Sequence, residues 1–311
     1  MNIRKLLAVV LALSLISLVG CSNSGTPPQA VKPEEAKNLS LKVGLMPAVD
    51  SAPMFIAEKK GYFKELGLDV ELIVFNNGQD RQSALQTNSI DGAMTDLIAV
   101  AANVNGGFDI KVTTTTSGMF PVLVKAGYEE KKDIKVAMME VSVTNFLIDE
   151  WLGDKYNIEK VFINEIPARL EMIKSGKADM GLFPEPMASM GALGGLEKRM
   201  FDPEDGYCPD VMAFTGKALA EKSEAVELFH RAYDKAVEDI NKDENKAREI
   251  LIEKLNLKPE IKESIALPQF SKASLPDAAY LEKVITWVEN VLKKDMQVKP
   301  EDLVVREFVK Q

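Results

Sequence analysis

At 311 residues the chain is too long for one small domain and fits two α/β lobes. Charged residues at 27% beside hydrophobic ones at 46% are the balance of a globular protein, which excludes a disordered or fibrous chain. The net charge is −9 and lysines and arginines are scattered rather than gathered into a basic stripe, which argues against a nucleic-acid partner.

Met1–Gly20 reads as a signal peptide. Arg4 and Lys5 form its positive start and Leu6–Val19 its apolar core, too short and too early to prefer a transmembrane helix. Leu18-Val19-Gly20-Cys21 closes it in an order that resembles a bacterial lipobox. There, small residues admit the peptidase and the thiol takes diacylglycerol. The plainer alternative is a signal peptide followed by a chance cysteine. An acylated Cys21 would tether the protein to a membrane surface by its lipid alone. Ser22–Asn38, with Gly25, Pro27, Pro28 and Pro33, reads as a flexible linker. Cys208 is then the one thiol left, which gives no intramolecular disulfide and no metal cluster. No cofactor and no metal are expected.

The globular pattern starts at Leu39. Leu41–Met46 predicts a strand, Ser51 onward a helix carrying Met54–Ala57 inward, and Leu68–Phe75 a second strand. Ser51 suits a helix cap, and Gly61 and Gly67 suit helix stops. This is a βαβ unit, which makes a parallel sheet and places ligands where strands end and helices begin. Asn76-Asn77-Gly78 reads as a turn and Arg81–Asn88 as a short helix with Ala84 and Leu85 inward. Ile90–Met94 is a third strand, Leu97–Asn103 a small helix, and Ile110–Thr116 a fourth strand running into Ser117-Gly118.

The design then repeats. Ile134–Met139 echoes Leu41–Met46, and Ser142-to-Phe146 echoes Ser51-to-Phe55. Val161–Ile166 stands where Val70–Phe75 stood. Arg169–Phe183 aligns without a gap on Arg81–Thr95, pairing Leu85 with Ile173 and Asp91 with Asp179. The identities are few, and two generic βα units could match as well; the shared order of elements is what argues for a repeat. Residues 39–117 and 217–311 are expected to form lobe 1 and 118–216 lobe 2, with Val211–Gly216 as the crossing back. Ser223–Ile240, Asp243–Leu255 and Pro276–Leu292 read as helices that complete the first lobe.

These residues carry a resemblance. Phe55-Ile56-Ala57-Glu58-Lys59-Lys60-Gly61-Tyr62-Phe63, followed by Glu65-Leu66-Gly67-Leu68-Asp69-Val70, is similar to a segment of the bacterial solute-binding proteins for sulfonates, nitrate and thiamine pyrimidine precursors. Asp91-Gly92-Ala93, Lys174–Met180, Phe183-Pro184-Glu185-Pro186, Leu267-Pro268 and the Trp287 helix extend the likeness to the C-terminus. Glu129–Asp133 departs from the family's usual Asp-Leu-Lys-Gly-Lys run, at a surface turn. The resemblance implies a two-lobed periplasmic-binding-protein-like (type II) α/β fold. Each lobe is a mostly parallel sheet flanked by helices, and two crossing strands form the hinge. It also implies partners: a small-molecule ligand and the permease and ATPase of an ABC importer, served by an exported, lipid-anchored, monomeric receptor.

The cleft residues expected to touch ligand follow from the strand ends. In the first lobe they are Asp50, Ser51, Asn77, Thr95, Asp96 and the hinge residue Ser117. In the second they are Glu140, Ser142, Thr144, Asn145, Phe183 and Glu185. Helix starts offer free N–H groups, and the prolines around Glu185 suggest an aimed carboxylate. Capping is the equally plain role for Asp50, and for one of Ser142 and Thr144. Acidic residues dominate this set, while Arg81 and Arg169 are expected to face solvent. That balance points away from an anion and toward a neutral or amine-bearing molecule such as an aminopyrimidine. The methionines read as core filler. Enzymes exist on this fold, but His230 is the sole histidine and falls on an apolar helix stripe. No nucleophile–base pair or phosphate-cradling loop is visible, so catalysis is not expected. A receptor reporting to a signalling partner is the other alternative.

Overall fold

The computed structural model describes residues 39–200 and 208–309. The signal peptide, Cys21 and the Ser22–Asn38 linker lie outside the described residues. Among those described, no helix is long and apolar enough to cross a membrane.

The first sheet begins as the sequence predicts. β1 (Leu39–Leu45) and β2 (Leu68–Val74) run parallel, in register from Leu39 opposite Leu68 to Leu45 opposite Val74. Between them lie α1 (Ala52–Lys60) and α2 (Tyr62–Glu65). Gly61 ends α1 at φ 76°, a left-handed conformation open to glycine, and its N–H reaches back to the carbonyls of Ala57 and Glu58. Next come α3 (Gly78–Gln86), β3 (Gly92–Asp96), α4 (Leu97–Asn105) and β4 (Ile110–Thr115).

The second lobe holds β5 (Val122–Lys125), β6 (Asp133–Met138), α5 (Val143–Leu152), β7 (Asn157–Phe162), α6 (Ile166–Lys174), β8 (Met180–Leu182), α7 (Met187–Leu193) and β9 (Leu196–Arg199). The chain then returns as β10 (Asp210–Thr215). It continues through α8 (Gly216–Glu221), α9 (Ser223–Lys242), α10 (Asn245–Lys254), α11 (Ala278–Leu292) and α12 (Pro300–Leu303).

The strand order is β2-β1-β3-β10-β4 in one sheet and β7-β6-β8-β5-β9 in the other. In each sheet four strands run one way and the fourth in order, β10 or β5, runs against both neighbours. Each antiparallel strand is the one delivered by a crossing between lobes.

Three expectations are corrected here. Val211–Gly216 is not a bare crossing, because Asp210–Thr215 is a wholly buried strand between β3 and β4. The first sheet therefore resumes at Asp210 rather than after Gly216. Strands β5 and β9 were not expected at all. The strand placed at Val161–Ile166 ends at Phe162, because Ile166-Pro167 opens α6 and proline suits a helix's first turn.

The tail helices cover the first sheet. α9 packs on α1, and α11 packs on α4. One apolar cluster runs through both lobes, joining Ile98 of α4, Phe146 of α5 and Trp287 of α11. The Phe146 ring meets the Trp287 ring edge-on at 5.6 Å. Side chains of this size contribute roughly 1.5–3 kcal/mol each when fully buried. The lobes thus share a core on one side and leave a cleft on the other.

Candidate functional site

Strand ends from both lobes enclose a cavity of about 80 Å³. From the first lobe come Met46, Ala48 and Asp50 after β1, then Asn77, Gly78 and Arg81 at the start of α3, and Met94, Thr95 and Asp96 at the end of β3. The second lobe answers with Met139, Ser142, Val143 and Thr144 after β6, Asn164, Ile166 and Arg169 around the start of α6, and Pro184 after β8. Phe120 and Asp210 come from the two crossings. The site lies at the carboxyl ends of the parallel strands, where α/β sheets bind ligands.

Six of the twelve expected residues line this cavity: Asp50, Asn77, Thr95, Asp96, Ser142 and Thr144. Ser51 does not, nor does it cap α1; its hydroxyl donates to Met46 O at 2.7 Å. Asn77 is more than a turn residue. It caps α3, accepting from Asp80 N at 2.8 Å, and its Nδ2 donates across the cleft to Glu165 Oε1 at 2.9 Å. Neither Ser142 nor Thr144 caps α5 through its side chain; their hydroxyls bond each other at 2.7 Å, and Ser142 Oγ donates to Met139 O.

The other expected residues are spent elsewhere. Ser117 is half-buried outside the cavity lining. Glu140 is exposed on an outer vestibule between the lobes. Asn145 is buried and donates to Glu140 O at 2.7 Å, fixing the loop. Phe183 is fully buried beneath the guanidinium of Arg169, 5.5 Å from its ring centre. The Glu185 carboxylate is aimed, but away from the cleft: it accepts from Lys198 Nζ at 2.5 Å, from Ser189 and from Ala266 N. Its carbonyl accepts from Val49 N at 2.8 Å, a bond between lobes.

The largest correction concerns Arg81 and Arg169. Both were expected in solvent; both are buried, at 5% and 4% exposure, and both line the cavity. The signal that could have found them is spacing. Each stands four residues before a fully buried residue, Leu85 or Ile173, and positions i and i+4 share a helix face. Asp210 was missed because it opens the unrecognised β10. Met94 belongs to the core and Met46 packs against it, and both, with Met139, also form cavity wall.

Electrostatics differ between the walls. Arg81 donates from Nη2 to Thr95 Oγ1 at 2.9 Å and lies in the field of Asp50, Asp96 and Asp210. Burial raises all three carboxyls despite this cation, Asp50 to about 6, and repulsion from Asp50 and Asp96 raises Asp210 further. Asp96 is also committed to its helix, accepting from Ala99 N at 2.8 Å. Arg169 lacks such company. Burial lowers its guanidinium to about 10, offset by Glu165, and its Nε and Nη1 have no hydrogen-bond partner. Among the described residues no group of three or more side chains is arranged to hold a metal ion.

Two five-stranded mixed sheets joined by paired crossings, with a cavity at their strand ends, make a periplasmic-binding-protein fold. Solved structures agree. An ABC-type import system's ligand-binding component from Staphylococcus aureus, solved with zinc bound, matches at TM-score 0.76 and 17% identity, over 87% of this chain and 97% of its own. The periplasmic aliphatic sulphonate-binding protein SsuA of Escherichia coli matches at 0.66 and 15%, over 88% and 94%. The periplasmic nitrate-binding protein NrtA of Synechocystis matches at 0.67 and 13%, over 81% of both chains. No curated protein sequence matches. The chain belongs to the NMT1/THI5-like family, whose model matches residues 48–247.

Proposed function

We propose that the chain is an extracytoplasmic solute receptor that captures a small amine-bearing organic molecule between its lobes and delivers it to the permease and ATPase of an ABC importer. The observation that carries this is the cavity between the lobes, with a buried, partnerless Asp50 Oδ1 on one lobe and partnerless Arg169 nitrogens on the other. A ligand touching both walls favours the closed state over the open one. The family and the importer components of the same fold support the transport role. Of the neutral and amine-bearing classes, the amine suits the three carboxylates. At about 80 Å³ the cavity is roughly half the ~150 Å³ that admits benzene, so a substituted pyrimidine needs the lobes to part further.

The order of charge, apolar core and Cys21 supports export and a lipid tether on the outer face of the cell membrane, or its periplasmic side. The reading is of binding without turnover. His230 is buried against aromatic rings, and burial pushes the Cys208 thiol well above its usual range, so neither is poised as base or nucleophile.

Native mass spectrometry of protein purified from its own cells should show a non-covalent small molecule in stoichiometric amount. Scattering should show a more open particle once that molecule is removed. A preparation that never carries a ligand, and that binds nothing from a metabolite library, would sink the reading. Labelled palmitate should enter the wild-type chain and not Cys21→Ala.

A further inference from the structure

Three residues that line the cavity carry partnerless polar atoms: Asp50 and Arg81 on the first lobe and Arg169 on the second. Asp50 is 1% exposed; its Oδ2 accepts from Thr116 Oγ1 at 2.9 Å while Oδ1 has no partner. Arg169, on the other lobe, is 4% exposed with two nitrogens unpaired. A buried polar atom left unpaired costs about 1–3 kcal/mol, and more when charged. On residues that line a cavity, such atoms point to a molecule that supplies what they lack: a donor for Asp50 and an acceptor for Arg169. The wall also carries the apolar side chains of Met46, Met94 and Phe120.

Asp50 does not act alone. Thr116 joins it to Asp210, donating its hydroxyl to the Asp50 carboxylate and its N–H to the Asp210 carbonyl at 2.9 Å. Gly118 passes so near that a Cβ there would fall 2.0 Å from Asp210 Oδ2, which closes that side. The other groups facing the pair are Arg81 from α3, Asp96 at the end of β3, the Cys208 thiol at 3.4 Å from Asp210 Oδ2, and the Tyr233 phenol from α9. One cation beside three buried carboxylates leaves excess negative charge. Burial and mutual repulsion raise both carboxyls, which favours a proton on one of the two.

Resting on the receptor reading above, we propose that the ligand is a compact zwitterion whose anionic end sits on Arg169 and whose ammonium or amidinium end displaces a proton carried by Asp50 or Asp210. The O–H bond breaks, the proton goes to the buffer, and the ligand's cation takes over its charge. The cleft therefore gains no net charge at the acidic wall when it fills.

The test is a calorimetric ladder of ω-amino acids, from glycine to 5-aminopentanoate, run near neutral pH in two buffers of different ionisation enthalpy. One or two chain lengths should bind and release close to one proton. Propylamine and propionate, each with one charge only, should bind at least about tenfold more weakly. Asp50→Asn should weaken the best binder at least about tenfold and abolish the proton release. If that variant does not fold, Asp210→Asn serves in its place; Asp154→Asn, on an exposed turn, should change neither reading. The proposal is overturned if no member of the ladder binds, if binding releases no proton, or if both cavity variants keep full affinity. An uncharged molecule found in the cleft would also overturn it while leaving the receptor reading intact. A chain that binds no small molecule at all would overturn the receptor reading itself.

Discussion

The two lobes are built alike and charged unlike. In the first, the Asp91 carboxylate accepts from Lys42 N at 2.8 Å; in the second, Asp179 accepts from Lys135 N at the same distance. Arg81 and Arg169 occupy matching places on α3 and α6. The difference lies one strand away. Where the first lobe ends β3 in Thr95-Asp96, the second follows β8 with Phe183-Pro184. Arg81 thus gains a hydroxyl and a carboxylate, and Arg169 gains an aromatic ring. Two residues thus separate an arginine set among three carboxylates from one without them, although Arg81 too keeps one partnerless nitrogen, Nε. The scaffold sets where a side chain points; the neighbouring strand end sets whether it holds the fold or waits for a ligand.

Arginine exchange should break this comparison most visibly. Arg81→Met leaves three buried carboxylates without their cation and should cost about 3–5 kcal/mol of stability, the range for breaking a buried charge network. Arg169→Met should do the reverse. It removes a buried charge with partnerless nitrogens, so the empty protein should melt no lower than wild type, and ligand occupancy in native mass spectra should fall. Loss of a buried charged contact costs about 2–5 kcal/mol of binding, roughly thirtyfold or more. Equal melting losses in both variants would mean the two arginines play one role.

Acid should next separate two buried groups within the first lobe. His230, in the first-lobe core, stacks on Phe308, and burial lowers it from 6.5 to about 4. The unfolded chain binds its proton first, so stability is lost as pH falls from about 6.5 to about 4, by roughly 3 kcal/mol. Asp50 has the opposite sign. Its folded value of about 6 lies above the ordinary 3.8, so protonation between about 6 and 3.8 restores stability of similar size. In the wild type the two oppose each other, and the raised Asp96 and Asp210 act on the side of Asp50. In chemical denaturation across that range, Asp50→Asn should be more stable than wild type near neutrality and should lose more as the pH drops. His230→Phe should gain stability on acidification. A flat difference between wild type and Asp50→Asn at every pH would mean that Asp50 does not titrate in this window.

How much of this was legible in the sequence follows the same physics. The parallel βα units were readable because Gly61 and Gly67 stop helices and because Leu68-Asp69-Val70-Glu71-Leu72 alternates at the period of a strand. β10 was not: six buried residues in a row show no period, and a short apolar run next to a crossing looks like the crossing. β5 fails in the same way, with Val122, Leu123 and Val124 all buried. At the site, helix starts and strand ends located Asp50, Asn77, Thr95, Asp96, Ser142 and Thr144. Residue type then misled. Glu185 looked like a ligand because it is acidic and flanked by prolines, yet a lysine thirteen positions later, Lys198, claims it. The arginines looked solvated because a charged residue on a short polar helix usually is, and no local pattern shows that an opposing lobe covers it.

The smallest effect bears on how the lobes stay shut. Two side-chain bonds cross the cleft mouth: Asn77 Nδ2 to Glu165 Oε1, and Asn164 Nδ2 to Gln79 Oε1, each at 2.9 Å. Asn77 also caps α3, so its loss mixes folding with closure. Asn164 makes the cleaner probe, because the Gln79 bond is its one side-chain hydrogen bond to protein among the described residues. That bond is exposed and exists only with the lobes together, so it is worth about 0.5–1 kcal/mol to the closed state and nothing to either lobe alone. Asn164→Ala should therefore weaken ligand binding two- to fivefold, chiefly through faster release, with melting of the ligand-free protein unchanged. Asn164 also lines the cavity, so a change in which molecule is bound, rather than in how long it stays, would assign it to recognition instead of closure.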